Sequence, residues 1–410
     1  MQVLCGAIKP CPSSGVGISN PGFWGMNIER GKMYQIIFYV KALAMSNLQI
    51  SFVGAGDVKL ASISVIVGNT TNWTRMMNIL EANASYHNAS LQITTTTKGV
   101  CWLDQVSAMP LDTHKGNGFR NDPFQMLAEL KPKFLRFLGG TSVEGVALSN
   151  TYRWKDTVGP WEERPGHLND VWKYWTDDGF GYFESLQIYT NSTDMFAKSS
   201  KFDKTPRSGP KAFISEYAVW KKEASMGSLV AAVAEAAFLI GLEKNSDIVE
   251  MVCYAQLFLN INDKMWILDV IVFDSNQHYG TPSYWVQKNF SESSGAIFLP
   301  TTLKTNSPNS VIASAINLKG SQDNQNYIRI KAVNFGITPQ NLEISINGLK
   351  STIKQLGSIK TVLTSTNIMD ENSFLEPMKV VPHQHSLENA AEKMNVILPP
   401  YSLTSVDLLT

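Results

Sequence analysis

The sequence predicts an α/β segment flanked on both sides by all-β structure. A β jelly roll or sandwich is expected over residues 1–109, alternating strands and helices over 110–299, and a β-sandwich over 300–410. Two changes of period carry this reading. Apolar residues recur with period two up to about residue 109, take helical spacing near residue 110, and return to period two from about residue 300. The third observation is size: 410 residues exceed one ordinary core and suffice for two or three domains.

Composition narrows the partners. Hydrophobic residues make up 44% and charged ones 17%, as in globular chains. Lys+Arg and Asp+Glu each total 35, so no net field draws the chain to nucleic acid or to an anionic membrane. A neutral, aromatic-rich chain suits an uncharged ligand such as a sugar. The most apolar stretch, Leu229 to Leu242, is too short to span a membrane and carries Glu235. The opening MQVLCGAIKPCPSSG has no basic region followed by an apolar one, so the chain as written is expected to stay inside the cell. Of the four cysteines, Cys5 and Cys11 either pair across a short loop or remain buried thiols. The set is too small and scattered for a zinc site, and no metal or cofactor is expected. Six N-x-S/T sequons (Asn69, Asn72, Asn83, Asn88, Asn191, Asn289) are what chance gives in such a chain.

In residues 1–109, Tyr34–Val40, Ala61–Val67 and Leu91–Thr97 are β-branched or aromatic runs separated by Gly/Asn/Ser clusters. Trp24, Trp73 and Trp102 fit either a sugar-stacking platform or the core, the commoner place for tryptophan. The next segment opens with a helix: Asp122 as N-cap, Pro123 at the first position, and Gln125 reaching back. Phe124, Leu127 and Leu130 follow at helical spacing, and Pro132 closes the element. Lys133–Phe137 reads as a strand before the turn Gly139-Gly140, with Arg136 near its end. An Arg there orients a carboxylate by a bidentate bond or neutralises a buried partner.

Residues 150–186 crowd aromatic side chains beside Glu162, Glu163, Arg164, His167, Asp177 and Asp178, as in a polar pocket wall or a structured surface loop. Lys211–Ser215 is a short strand after Gly209-Pro210, and Glu216 stands at its carboxyl end. That is where α/β barrels place their chemistry, so Glu216 is a candidate nucleophile or general base. The bland alternative is a solvated Glu that ends a strand. Ser228 caps a helix from Leu229 to about Asn245, Asp247–Phe258 supplies a strand, and Thr281–Phe290 a further helix. Tyr327–Val333, Leu342–Ile346 and Val396–Val406 are the strands of the closing sandwich.

The strings GPWEERPGH (159–167), YWTDDGFGYFE (174–184), GPKAFISEYAV (209–219) and YGTPSYWVQ (279–287) resemble plant α-L-arabinofuranosidases. With NPGFWGMNIE, the resemblance covers nearly the whole chain. NPGFWGMNIERGKMY and CWLDQVSAMPL are also loosely similar to the first and last strands of carbohydrate-binding jelly-roll modules. The resemblance implies a retaining glycoside hydrolase on a (β/α)8 barrel, with a carbohydrate-binding-like insert and a carboxyl-terminal β-sandwich. It implies that Glu216, in ISEY, is the nucleophile, that Arg136, in the RF-x-GG turn, supports the substrate site, and that Tyr189, in IYT, lies near the nucleophile. Its substrates would be arabinose-bearing cell-wall polysaccharides such as arabinan and arabinoxylan, with no cofactor, and its members are exported.

The chain also departs from that pattern. The family's acid/base lies in a Gly-Asn-Glu motif, which is absent here. Phe183-Glu184-Ser185-Leu186-Gln187 runs straight into Ile188-Tyr189-Thr190, as though an internal block were missing. The family's amino-terminal portion and the His before its Tyr are missing too, and Leu138 and Gln256 replace prolines. Only Lys133–Phe137, Lys211–Ser215 and Glu250–Tyr254 read as barrel strands, so the (β/α)8-type barrel is expected to be incomplete. Glu144 and Glu184 are the nearby carboxylates that remain as substitute acids. A second reading is a catalytically inactive glycan-binding relative or a truncated product.

Overall fold

A computed structural model describes residues 2–6, 11–133, 146–147, 150, 153, 166–171, 173–176, 187–207, 212–220, 222–255, 257–263, 269–305, 310–320, 324–349 and 351–410. The protein is mostly β with few helices and forms two compact units. One comprises Met1–Phe124, Leu138–Tyr182 and Asp274–Gln277; the other comprises Gln125–Phe137, Phe183–Phe273 and His278–Thr410.

The first unit is built on two antiparallel sheets. In one, the strands run Gln2–Cys5, Gly99–Pro110, Met33–Ala42, Thr70–Glu81. In the other they run Val16–Asn20, Tyr86–Thr95, Ser46–Val53, Lys59–Val67. Strict alternation explains why the sheets share one core: Ile36, Phe38 and Val40 from the first sheet join Ile50, Phe52 and Ile93 from the second. Of the two fates open to Cys5 and Cys11, the structure has the disulfide. The core reading of the three tryptophans fails: Trp24 is 47% exposed, and Trp73 and Trp102 are half-buried.

The helix expected near residue 122 spans Asn121–Glu129. Its capping differs from expectation. Arg120 grips the Asp122 carboxylate with two bonds, 2.7 and 2.6 Å, and Gln125 donates forward to Glu129 at 3.4 Å instead of reaching back. A guanidinium fork outcompetes the weaker cap bond for the same carboxylate. The Lys133–Phe137 strand and the turn after it lie outside the described residues.

In the second unit, short strands pair largely in parallel. Gln187–Thr190 pairs in parallel with Glu216–Val219, Ala212–Ile214 with Val249–Val252, and Phe258–Asn260 with Ile271–Phe273. His278–Gly280 then closes an antiparallel hairpin on Ile271–Phe273. Asp247–Phe258 is therefore not one strand but parts of two, because the chain leaves the ladder after Val252. The Leu229–Lys244 helix is capped by the Ser228 hydroxyl, which accepts from the Ala231 N–H at 3.3 Å. Every residue from Leu229 to Leu242 is buried, as an all-round apolar helix requires. Gly241 is obligatory in it, since a Cβ would sit 1.9 Å from the Ser199 carbonyl oxygen.

The closing sheet runs Ile297–Leu299, Val311–Lys319, Asn326–Asn334, Ser402–Leu409, Lys354–Leu363, His383–Ser386. Gln340–Ser345 and Lys393–Leu398 pair separately. The run Val396–Val406, expected as one strand, is thus broken by the turn through Pro399-Pro400-Tyr401. Fully buried Lys331 bonds Glu243 of the helix at 2.6 Å, fixing the helix to the sheet. No helix among the described residues is long and apolar enough to cross a membrane.

Candidate active site

Glu216 does not end a strand, as the sequence suggested; it begins one. The chain is extended from Ala212 to Val219 with a break at Ser215. Before the break it pairs with Val249–Val252; after it, with Gln187–Thr190. Tyr217, Ala218 and Val219 are buried apolar residues, which is why the strand continues past the carboxylate. The change of partner at Ser215 leaves Glu216 half-buried at the lip of the second ladder.

Register brings Tyr189 to it. Tyr189 stands opposite Ala218, two residues from Glu216 and therefore on the same face of the sheet. From that diagonal position its hydroxyl donates to Glu216 Oε2 at 2.5 Å. A bond to a charged acceptor is stronger than a neutral one and fixes the plane of the carboxylate. Trp220, exposed at the far end of the strand, lies with its ring 6.3 Å from that of Tyr189, and its backbone N–H donates to the Thr190 carbonyl at 2.8 Å. The predicted pair Glu216–Tyr189 is thus assembled, whereas Arg136, Glu144 and Glu184 lie outside the described residues. Glu162, Glu163, Arg164, Asp177 and Asp178 do so too, and His167 is in the other unit, on a hairpin with Tyr174–Thr176.

Behind the strand sits a carboxylate that the sequence marks only as the one acid in an apolar run. Glu235, fully buried in the Leu229–Lys244 helix, accepts from the Val219 N–H at 2.9 Å, the Tyr254 hydroxyl at 3.0 Å and the Ser283 hydroxyl at 2.7 Å. It ties the Glu216 strand to the helix and to the Pro282–Phe290 helix. Burial raises its pKa to about 7, against the pull of the three donors. Asp269 lines the same small cavity, of about 10 Å³, and among the described residues neither of its carboxylate oxygens finds a hydrogen-bond partner. Only 2% exposed, it has its pKa pushed up to about 8 by burial. The signal for Glu235 was present in the sequence as one acid inside a wholly apolar helical run. Among the described residues no group of three or more His, Cys, Asp or Glu side chains converges on a metal position.

Two family models match the chain: the α-L-arabinofuranosidase C-terminal domain over residues 215–402 and the α-L-arabinofuranosidase 1 domain over residues 126–196. α-L-Arabinofuranosidase 1 of Arabidopsis thaliana is 45% identical over 534 aligned residues, covering 100% of this chain and 78% of the relative. The chain belongs to the α-L-arabinofuranosidase family. α-L-Arabinofuranosidase 2 of the same plant is 43% identical, again over 100% of this chain and 78% of the relative. An arabinose-bound GH51 α-L-arabinofuranosidase superposes with a TM-score of 0.84 at 20% identity, over 100% of this chain and 87% of that one, so the chain shares its fold. The α-L-arabinofuranosidase from Thermotoga maritima, solved as an arabinose complex, gives a TM-score of 0.57 at 14% identity over 72% and 90%. The 534 positions aligned with the Arabidopsis relative exceed the 410 residues here by 124, so at least that many of its residues inside the match have no counterpart in this chain.

Proposed function

We propose that the chain releases terminal α-L-arabinofuranosyl residues from cell-wall polysaccharides such as arabinan and arabinoxylan with retention of configuration. In this reading residues 1–109 are a carbohydrate-binding-like jelly roll, 110–299 a partial (β/α)8 catalytic segment and 300–410 a supporting sandwich. The observation that carries the reading is the 2.5 Å bond from Tyr189 to Glu216 on paired parallel strands. Glu216 attacks the anomeric carbon, the glycosidic bond breaks, and the arabinosyl–Glu216 ester is then opened by water. Tyr189 holds the attacking carboxylate in plane, and Arg136, outside the described residues, is the arginine that the family resemblance assigns to the support of the site. The balance of 35 acidic and 35 basic residues favours an uncharged polysaccharide over nucleic acid or membrane as the partner.

Retention needs two carboxyl groups about 5–5.5 Å apart. The absent Gly-Asn-Glu motif and the 124 unmatched positions of the Arabidopsis relative support a site that has its nucleophile without the family's proton donor. The consequence is a dependence on the leaving group. An aryl α-L-arabinofuranoside with an acidic phenol is expected to give a burst of phenol followed by slow turnover, which azide accelerates. Arabinan is expected to be cleaved about 10²–10⁴-fold more slowly than by a site with its general acid. Stopped-flow phenol release and reducing-sugar assays measure the two. Brisk arabinan hydrolysis would instead mean that a substitute carboxylate, Glu144 or Glu184, serves as the acid.

A further inference from the structure

The outer face of the four-stranded sheet in the first unit carries a groove of about 290 Å³ lined by Lys41, Leu43, Thr70, Thr71, Trp73 and Trp102. Its origin is local. Along Met33–Ala42 the residues Tyr34, Ile36, Phe38, Val40 and Ala42 turn inward, so Lys41 turns out. Lys41 stands opposite Trp102 on the neighbouring strand. On its other side the register jumps: Val40 pairs with Thr74 and Ala42 with Thr70, leaving residues 71–73 opposite Lys41. Such a bulge re-aims side chains, and here it brings Trp73 to the rim of the same groove. Trp102, Lys41 and Trp73 therefore form a row across three adjacent strands, with the two indoles about 9.5 Å apart in backbone position.

We propose that this groove is a glycan site that takes a linear chain of β-1,4-linked pyranoses of the xylan type, apart from the Glu216 site. Two half-buried indoles offer flat apolar surface, and aromatic side chains gain most from burying such area. A pyranose with equatorial hydroxyls presents a flat C–H face to an indole and directs its hydroxyls to the edge. At the edge stand the Lys41 ammonium, with three donors, and the hydroxyl of exposed Thr71. In the structure the Lys41 ammonium lies 4.4 Å from the Trp73 ring centroid. At a solvent-accessible site such a contact is weak, so the ammonium is released to sugar hydroxyls as the ring is covered. Two indoles two strands apart match alternate units, n and n+2, of an extended chain. A furanose chain is puckered and flexibly linked and offers no such flat repeat. The choice of xylan among glycans rests on the proposed function, and it narrows the polysaccharide to arabinoxylan, bound by its backbone here.

The test is calorimetric titration of the full chain, made in bacteria so that Asn69 and Asn72 carry no glycan, with β-1,4-xylohexaose and with α-1,5-arabinohexaose. Xylohexaose is expected to bind the wild type and Glu216→Gln equally, and Trp73→Ala, Trp102→Ala and Thr71→Arg at least about tenfold more weakly. Thr71 is exposed, so Thr71→Arg blocks the groove without touching the core, and far-UV circular dichroism checks all three variants. The proposal is overturned if the wild type does not bind xylohexaose, or if Thr71→Arg binds it as tightly as the wild type. Loss of xylohexaose binding in Glu216→Gln, or binding of arabinohexaose that depends on Trp73, overturns it as well. Binding that persists while Glu216-dependent hydrolysis is absent would leave the groove standing and refute the catalytic reading alone.

Discussion

Glu216→Ala is expected to lower phenol release from an activated aryl α-L-arabinofuranoside by at least about 10⁴-fold, measured as initial rates with matched protein. The size follows from chemistry. With no carboxylate at the anomeric carbon no ester forms, and azide then has no intermediate to intercept. Stability is expected to change little, because Glu216 is half-buried at the start of its strand, while Tyr217, Ala218 and Val219 supply the packing. Tyr189→Phe is a milder change: it deletes one bond to the carboxylate, worth about 1.5–3 kcal/mol, or roughly ten- to hundredfold in rate. A Glu216→Ala variant that keeps more than about a hundredth of wild-type activity would place the nucleophile elsewhere.

The second large effect is on stability, at Asp269. Its folded pKa of about 8 lies far above the ordinary value of 3.8, and that of Glu235, about 7, above 4.5. Between the two sets of values the folded state holds protons that the unfolded state has released. Stability is therefore full below about pH 4 for these groups and is lost as pH rises through about 7–8. For Asp269 the rise from 3.8 to about 8 corresponds to several kcal/mol, on the order of 5, at alkaline pH. Asp269→Asn removes the titration but buries an amide without partners, which costs about 1–3 kcal/mol. The variant is expected to melt below the wild type at pH 5 and above it at pH 9. Thermal unfolding followed by circular dichroism at both values measures the crossing. A variant less stable at every pH, with a wild type insensitive to pH, would show that Asp269 is ionised and paired in the folded chain.

How much of this was legible depended on length and on facing. A long strand with one more solvated face, such as Met33–Ala42, announces itself by alternation. The Leu229–Lys244 helix was legible from its Ser228 cap and its length. The three-residue strands Phe258–Asn260, Ile271–Phe273 and His278–Gly280 were not, because three residues hold too little period to read. Glu216 was legible as a candidate, and resemblance supplied its partner Tyr189; their bond depends on register between distant strands, which no local spacing encodes. Glu235 was visible in the sequence only as an interruption of an apolar run, and its role as a tie to the Val219 N–H arises from tertiary packing alone.

The central claim is that Glu216 becomes covalently bonded to arabinose. The most direct measurement quenches the full chain with acid during the phenol burst, digests it, and maps added mass by tandem mass spectrometry. One arabinosyl group on Glu216, absent from Glu216→Ala, is the result expected. An arabinosyl group on a different residue, or a burst with no adduct and an inverted sugar product, would contradict it.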